Sequence, residues 1–473
     1  MDRGEGSQLG KDTNWEHYLH LYEEIIASEN ESLQIKATIK LGRISNDVPE
    51  NVLTRAIPIL VELLRRPLTL NNSNLSIQEA SAYCLSRIAH CQGGDDDLIL
   101  AAIVHSGVVP LVLSFLQNSS QCSFSKILMK FLWRIVSFSN PNRVAVVRNG
   151  GFETVLGLLG LYSDESRRYL LEILSALALL REVRRVIINS GGLPFLVESA
   201  KKGSIVSRAR AAHAIGLIGT TRRVKRILVE LGVVPVLAEL LGVGDTSTKI
   251  IAGNALGIVA SHIDFLRPVA EAGAIPLYAE LLQGTEPIAK EIAEDVFCIL
   301  AVAEENAVSI AEHLVRILQG DNDEAKAAAA DVLWDLSGYK HSVSVARSSG
   351  AIPVLVDILR NSNGDVREKV SGAIAQLSYD EVDRGALADA GVIPILVGLL
   401  QDELEELKDN AAEALINFSE DPLLRDRMSE ALDIPSFQSV QSRLIRIRAT
   451  DQHTVTHLRQ MSIEQFTWDP ELS

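Results

Sequence analysis

The chain has 473 residues, 47% of them hydrophobic but only 5% aromatic, and a net charge of −16. At roughly 150 residues per domain this length would suggest about three compact domains, a count that a repeat array escapes because each repeat packs only on its neighbours. The acidic excess argues against nucleic acid as the main partner, since phosphate binding calls for Lys and Arg in excess.

Residues 1–14 are polar and lack an apolar core, so no secretory signal is read there, and Asp2 rules out N-myristoylation. Residues 15–26 read as an amphipathic helix that caps the array, the cap extending over 1–46. Residues 66–75 read as a loop inserted within the first repeat. The apolar run 170–180 is too short to span a bilayer. Cys84, Cys91, Cys122 and Cys298 form no CxxC pair and read as small buried residues of a reducing compartment, so the cytosol or nucleus is expected.

From residue 107 a short phrase recurs: Gly107-Val-Val-Pro110, Gly191-Gly-Leu-Pro194, Gly232-Val-Val-Pro235, Gly273-Ala-Ile-Pro276, Gly350-Ala-Ile-Pro353 and Gly391-Val-Ile-Pro394. Pro194, Pro235 and Pro276 are 41 apart, as are Pro353, Pro394 and Pro435. A degenerate copy fits with Glu312 in the Pro position, Thr154 takes it 40 residues before Pro194, and Pro110 and Pro58 take it upstream. Glycine can adopt φ > 0 and end a helix, and proline suits the first turn of the next. Each phrase therefore predicts a helix–break–helix junction.

A further helix is predicted beyond each junction. Counting from the Pro position, offset 17 holds Ala211, Ala252, Ala293, Ala329, Val370 and Ala411, and offset 20 holds Ala214, Ala255, Val296, Val332, Ala373 and Ala414. Offset 21 holds Ile215, Leu256, Phe297, Leu333, Ile374 and Leu415, and offset 24 holds Ile218, Val259, Leu300, Leu336, Leu377 and Phe418. Offsets 17, 20, 21 and 24 form one helical stripe, with small residues for close approach and large ones to fill the core.

This pattern resembles the armadillo repeat family, over about residues 47–440, with a polar tail at 441–473. The resemblance implies an all-α, right-handed superhelical solenoid of about nine repeats, three helices each, whose third helix lines a concave groove. It is similar to plant armadillo-repeat-only proteins and to the armadillo part of plant U-box proteins, though no U-box is found. The nuclear-import members of the family carry Trp at offset 19 and Asn at offset 23 of the third helix. Here offset 19 holds His213, Asn254, Asp295, Asp331, Gly372 and Glu413, and offset 23 holds Leu217, Ile258, Ile299, Asp335, Gln376 and Asn417. Only Asn417 matches, which argues against an import receptor.

No catalytic motif is found: the chain lacks HExxH, GxSxG and a Rossmann glycine set. Residues 242–249 superficially resemble a phosphate loop but read as an inter-helix turn, and 93–97 lack the spacing of a calcium loop. No cofactor, metal or small-molecule substrate is expected. The expected function is a protein-binding scaffold or adaptor, with a ubiquitin-ligase adaptor as the alternative. Its groove would present Leu217, Ile258 and Ile299 as an apolar strip, and Asp295, Asp331, Asp335 and Glu413, with Gln376 and Asn417, as an acidic half suited to basic segments. Residues 181–226 carry eleven Lys/Arg against two Glu, whereas 271–335 and 380–433 each balance at −11. The basic run includes Arg181, Arg184, Arg185, Arg222, Lys225 and Arg226, a candidate patch for an acidic protein, a phosphoinositide surface or nucleic acid, or else a solvated helix face. Residues 441–460, with four Arg and one Asp, are a candidate internal competitor for the acidic half.

Overall fold

The computed structural model describes residues 14–66, 76–89, 98–118, 122–162, 165–337, 346–362 and 364–428. The described residues are helical and contain no strand. The chain divides into two compact units, Met1–Ala214 and Ile215–Ser473, the division falling inside the Ile205–Ile218 helix.

The first unit opens with the Trp15–Ala27 and Glu31–Ile44 helices. Asn14 and Asn30 cap them by accepting from His17 and Leu33 backbone N–H groups. Leu19, Tyr22 and Ile26 are buried, which is the amphipathic pattern expected for 15–26. Tyr22 and Thr38 share a buried hydroxyl contact at 3.1 Å, tying the two helices together.

The next helix, Glu50–Arg65, corrects one expectation. Pro58 does not mark a junction; it lies inside this helix. No glycine precedes it to release the backbone, and Pro58 and Thr54 both face solvent, so water can serve the carbonyl that proline leaves without a donor. The inserted segment lies outside the described residues from 67 to 75.

From there the three-helix period holds. Ile77–Ile88 is a third helix, opened by a Ser76/Glu79 capping box. Leu98–His105, Val108–Asn118 and Cys122–Phe138 form the next triplet, and Asn140–Arg148, Gly151–Leu161 and Glu165–Leu177 the one after. Gly150, Gly191, Gly232 and Gly273 are 41 apart, and each has φ between +69° and +78°. Gly232 (+78°) is where one helix stops and Val233–Val243 begins, a left-handed turn that a Cβ would strain. This spacing corrects the repeat frame. The Pro position of the Gly150 repeat is Glu153, three residues on, and not Thr154. The pitch from Glu153 to Pro194 is then 41, and offsets 17, 20, 21 and 24 become Leu170, Ile173, Leu174 and Leu177, all fully buried.

In the second unit the degenerate repeat differs from its neighbours. Where others have two short helices around a glycine, Glu304–Leu318 is one continuous helix. Ser309 stands where the glycine would be and Glu312 replaces proline, so nothing interrupts the backbone hydrogen bonds. The third helices Thr246–Ala260, Pro287–Leu300, Asp323–Ser337, Gly364–Leu377 and Glu405–Ser419 pack each on the next. All residues at the four stripe offsets are at most 4% exposed. They form the core between repeats, and each large buried side chain there contributes about 1.5–3 kcal/mol. Pro435 and the tail lie outside the described residues.

Candidate partner-binding face

Offsets 19 and 23 lie about one helical turn apart and, from His213 to Asp335, are exposed or half-buried, whereas the stripe offsets turn into the core. Leu217 is exposed and Ile258 and Ile299 are half-buried, the apolar strip expected from the sequence. Ile258 and Ile299 meet in one pocket of about 180 Å³ between the Thr246–Ala260 and Pro287–Leu300 helices. Asn254, Ile292, Asp295 and Val296 line it too, with Gly257 and Ser261. Gly257 lets the two helices close up, since a Cβ there would lie 2.5 Å from Val296 Cγ2.

Beyond the pocket the face is acidic. Asp295 and Asp335 are exposed and Asp331 is half-buried. Glu294 joins them. Its carboxyl is pushed up by partial burial and by Asp331, Asp335 and Asp295, against the pull of Lys369. Burial likewise raises Asp335, reinforced by Asp331 and Asp295. Cys298 sits among them, and burial together with Asp335, Asp295 and Glu294 pushes its thiol up to about 12. A thiol so protonated is a poor nucleophile and metal ligand. The nearest cation is already engaged: Lys369 Nζ donates to both Asp331 oxygens at 3.0 Å.

Toward the C-terminal end the expected site residues are structural. Asn417 is buried, and its Nδ2 donates to Ser378 Oγ at 2.8 Å, so it bridges adjacent repeats and is not available as an open clamp. Glu413 accepts from the Tyr379 hydroxyl across the same gap. Gln376 is half-buried, and Gly372 is covered by the Trp334 ring, 2.6 Å from where a Cβ would stand.

The basic patch separates by role. In the first unit, Arg181 and Arg185 are exposed, but Arg184 Nη2 donates to the Leu179 carbonyl at 3.1 Å. In the second unit, Arg226 is exposed, Arg222 pairs with Asp264 at 2.9 Å, and Lys225 is buried with Nζ on Ser261 Oγ at 2.6 Å. Arg184 and Lys225 occupy the position ten before Pro, and so do Arg143 and Arg384. Arg143 donates to the Val136 and Ser137 carbonyls and Arg384 to those of Ser378 and Tyr379. The three arginines cap carbonyls at or just past the end of the preceding third helix, whereas Lys225 reaches forward to the Ser261 hydroxyl at the end of Thr246–Ala260. Only the corrected Glu153 frame brings Arg143 into this series, which is why the pattern escaped sequence reading.

Sequence reading also missed a cationic stripe in the first unit. Lys126, Lys130 and Arg134 recur every fourth residue along Cys122–Phe138, on one face. Lys130 is held below the usual ammonium range by burial and by Arg134, Arg87 and Lys126. Arg134 is buried and donates to Ser86. The signal was in the sequence, but the spacing drifts before Glu153 and the offsets did not reach it.

Residues 242–249 hold the expected inter-helix break, narrowed to Gly244 and Asp245 between Val233–Val243 and Thr246–Ala260; Asp245 caps the latter by accepting from Thr248 N–H at 2.8 Å. Residues 93–97 and 441–460 lie outside the described residues. Among the described residues no group of His, Cys, Asp and Glu could hold a metal ion, and no single helix is long and apolar enough to cross a membrane.

No family model and no curated protein matches this chain. Solved structures do: 506 chains match. One, an engineered protein, aligns with a TM-score of 0.60 at 24% identity, over 85% of this chain and 98% of its own. At that identity the likeness speaks to the fold alone.

Proposed function

We propose that this chain is a non-enzymatic scaffold of armadillo type, which holds an extended segment of another protein along the third-helix face of its second unit. The observation that carries this reading is the pocket between Thr246–Ala260 and Pro287–Leu300, continuous with the carboxylates Asp295, Glu294, Asp331 and Asp335. Side chains facing away from the core are under no packing demand to be isoleucine, and an apolar strip beside a charged one is what partner surfaces present. A row of stacked third helices can bury the ~1,600 Å² of a standard specific complex without moving parts. Cytosol or nucleus is the compartment that suits it.

The test is affinity purification with quantitative mass spectrometry, comparing wild type with Asp295→Lys/Asp335→Lys and with Arg181→Glu/Arg185→Glu. Both pairs are exposed, so the fold should survive, which far-ultraviolet circular dichroism checks. Loss of a specific partner from the first variant alone supports the reading. An unchanged set of partners rejects it.

A further inference from the structure

Resting on that reading, we infer that the pocket lined by Asn254, Ile258, Ile292, Asp295, Val296 and Ile299 takes the side chain of a lysine or arginine from the partner segment. Its walls are aliphatic on both helices, which suits the methylene stem of a long basic side chain. Asp295 stands at one side, exposed, and has no ion-pair partner among the described residues. Ser261, at the end of Thr246–Ala260, also lines it, and its Oγ already accepts from Lys225 Nζ at 2.6 Å. That ammonium repels a second cation, so the charged tip of an occupant is directed to Asp295. Glu294 and Asp335 lie close enough to Asp295 to be raised by it, and Lys369, the cation among them, is held by Asp331. A cation entering from the partner relieves this repulsion. A purely apolar side chain would fit the walls but would strip water from Asp295 without replacing it.

The test is fluorescence anisotropy of the full chain with a labelled (Lys-Ser)6 peptide, beside the same peptide with norleucine or glutamate in place of lysine. Wild type should bind the lysine peptide, bind the norleucine peptide about tenfold more weakly, as expected for loss of one charge-assisted contact, and not bind the glutamate peptide. Asp295→Asn should weaken the lysine peptide by about tenfold and erase its advantage over norleucine. Ile299→Ala should weaken both peptides, and Asp335→Asn should matter less than Asp295→Asn. Equal binding of norleucine and lysine overturns the inference but leaves the scaffold reading standing. So does a lysine peptide that ignores Asp295→Asn and responds to Asp335→Asn alone. If the wild-type chain binds none of the peptides, the inference and the binding face fall together.

Discussion

The two units use the same repeat with opposite charge on the third helix. In the first, Cys122–Phe138 carries Lys126 and Lys130, half-buried, and the buried Arg134, with Arg87 near Lys130. In the second, Pro287–Leu300 and Asp323–Ser337 present Glu294, Asp295, Asp331 and Asp335. Their buried stripes are interchangeable in kind: Leu170, Ile173, Leu174 and Leu177 do in one unit what Ala252, Ala255, Leu256 and Val259 do in the other. Packing therefore constrains one side of each helix and leaves the other to chemistry, and the two sides should respond very differently to mutation.

The largest effect should come from the constrained side. Phe297 is fully buried and packs its ring edge-on against Tyr278 at 6.2 Å between centroids. Phe297→Ala should destabilise the second unit by about 3–5 kcal/mol. Asp295→Asn, two residues earlier on the same helix, should change stability by less than about 0.5 kcal/mol. Urea unfolding followed by circular dichroism measures both. Comparable losses would mean that the two sides of the helix are not separable.

A second comparison sets one buried slot against its equivalents. The position eleven before Pro holds Val183, Val224 and Phe265, all buried, but in the last complete repeat it holds Asp383. Asp383 is fully buried, and neither carboxylate oxygen has a hydrogen-bond partner among the described residues. Burial, with Asp380 adding to it and Arg347 opposing, raises its carboxyl to about 7. In the unfolded chain the group titrates near 4. The folded state thus binds the extra proton between about pH 4 and 7, so the stabilisation is complete below the lower value and is lost as pH rises through the upper one. Asp383→Val should therefore gain on wild type with rising pH, by up to about 4 kcal/mol between pH 4 and 8. Thermal melts across that range give the difference directly. A gap that stays constant with pH would show that Asp383 is ionised in the fold.

The fold was legible because the repeat wrote it several times. The junction glycines and the stripe at offsets 17 to 24 agree in copy after copy, and a misplaced residue such as Thr154 shifts one copy without hiding the period. Pro58 and the fused Glu304–Leu318 helix were misread or left open because a proline alone does not break a helix. The glycine before it does, and both places lack one. The face was legible only in part. Ile258, Ile299 and Asp295 do converge, since offset arithmetic on one helix is enough to place them. Asn417, Glu413 and Lys225 were assigned to surfaces but bond inside the array, because whether a polar side chain turns to solvent or to a neighbour depends on what stands 34 to 39 residues away; Arg184 turns back to a carbonyl five residues before it.

The smallest expected effects test that last point by setting Arg143, ten before the Pro position, against Arg222, thirteen before its own. Arg143 is half-buried; its guanidinium is lowered by burial and donates to two carbonyls at the end of Cys122–Phe138. Arg222 is exposed, and its partner Asp264 is exposed too. A buried charged donor removed from carbonyls leaves those acceptors without partners, whereas an exposed ion pair is replaced by water. Arg143→Met, which keeps much of the stem, should cost about 1.5–3 kcal/mol, and Arg222→Met less than about 1 kcal/mol. Added salt separates the two further: 1 M sodium chloride should erase the Arg222 difference by screening, because that pair is held by charge across solvent. The Arg143 difference should persist, because its bonds run to neutral carbonyls. If both substitutions cost the same and fade together in salt, the cations ten before Pro are surface charge after all, and the basic run belongs to a partner and not to the fold.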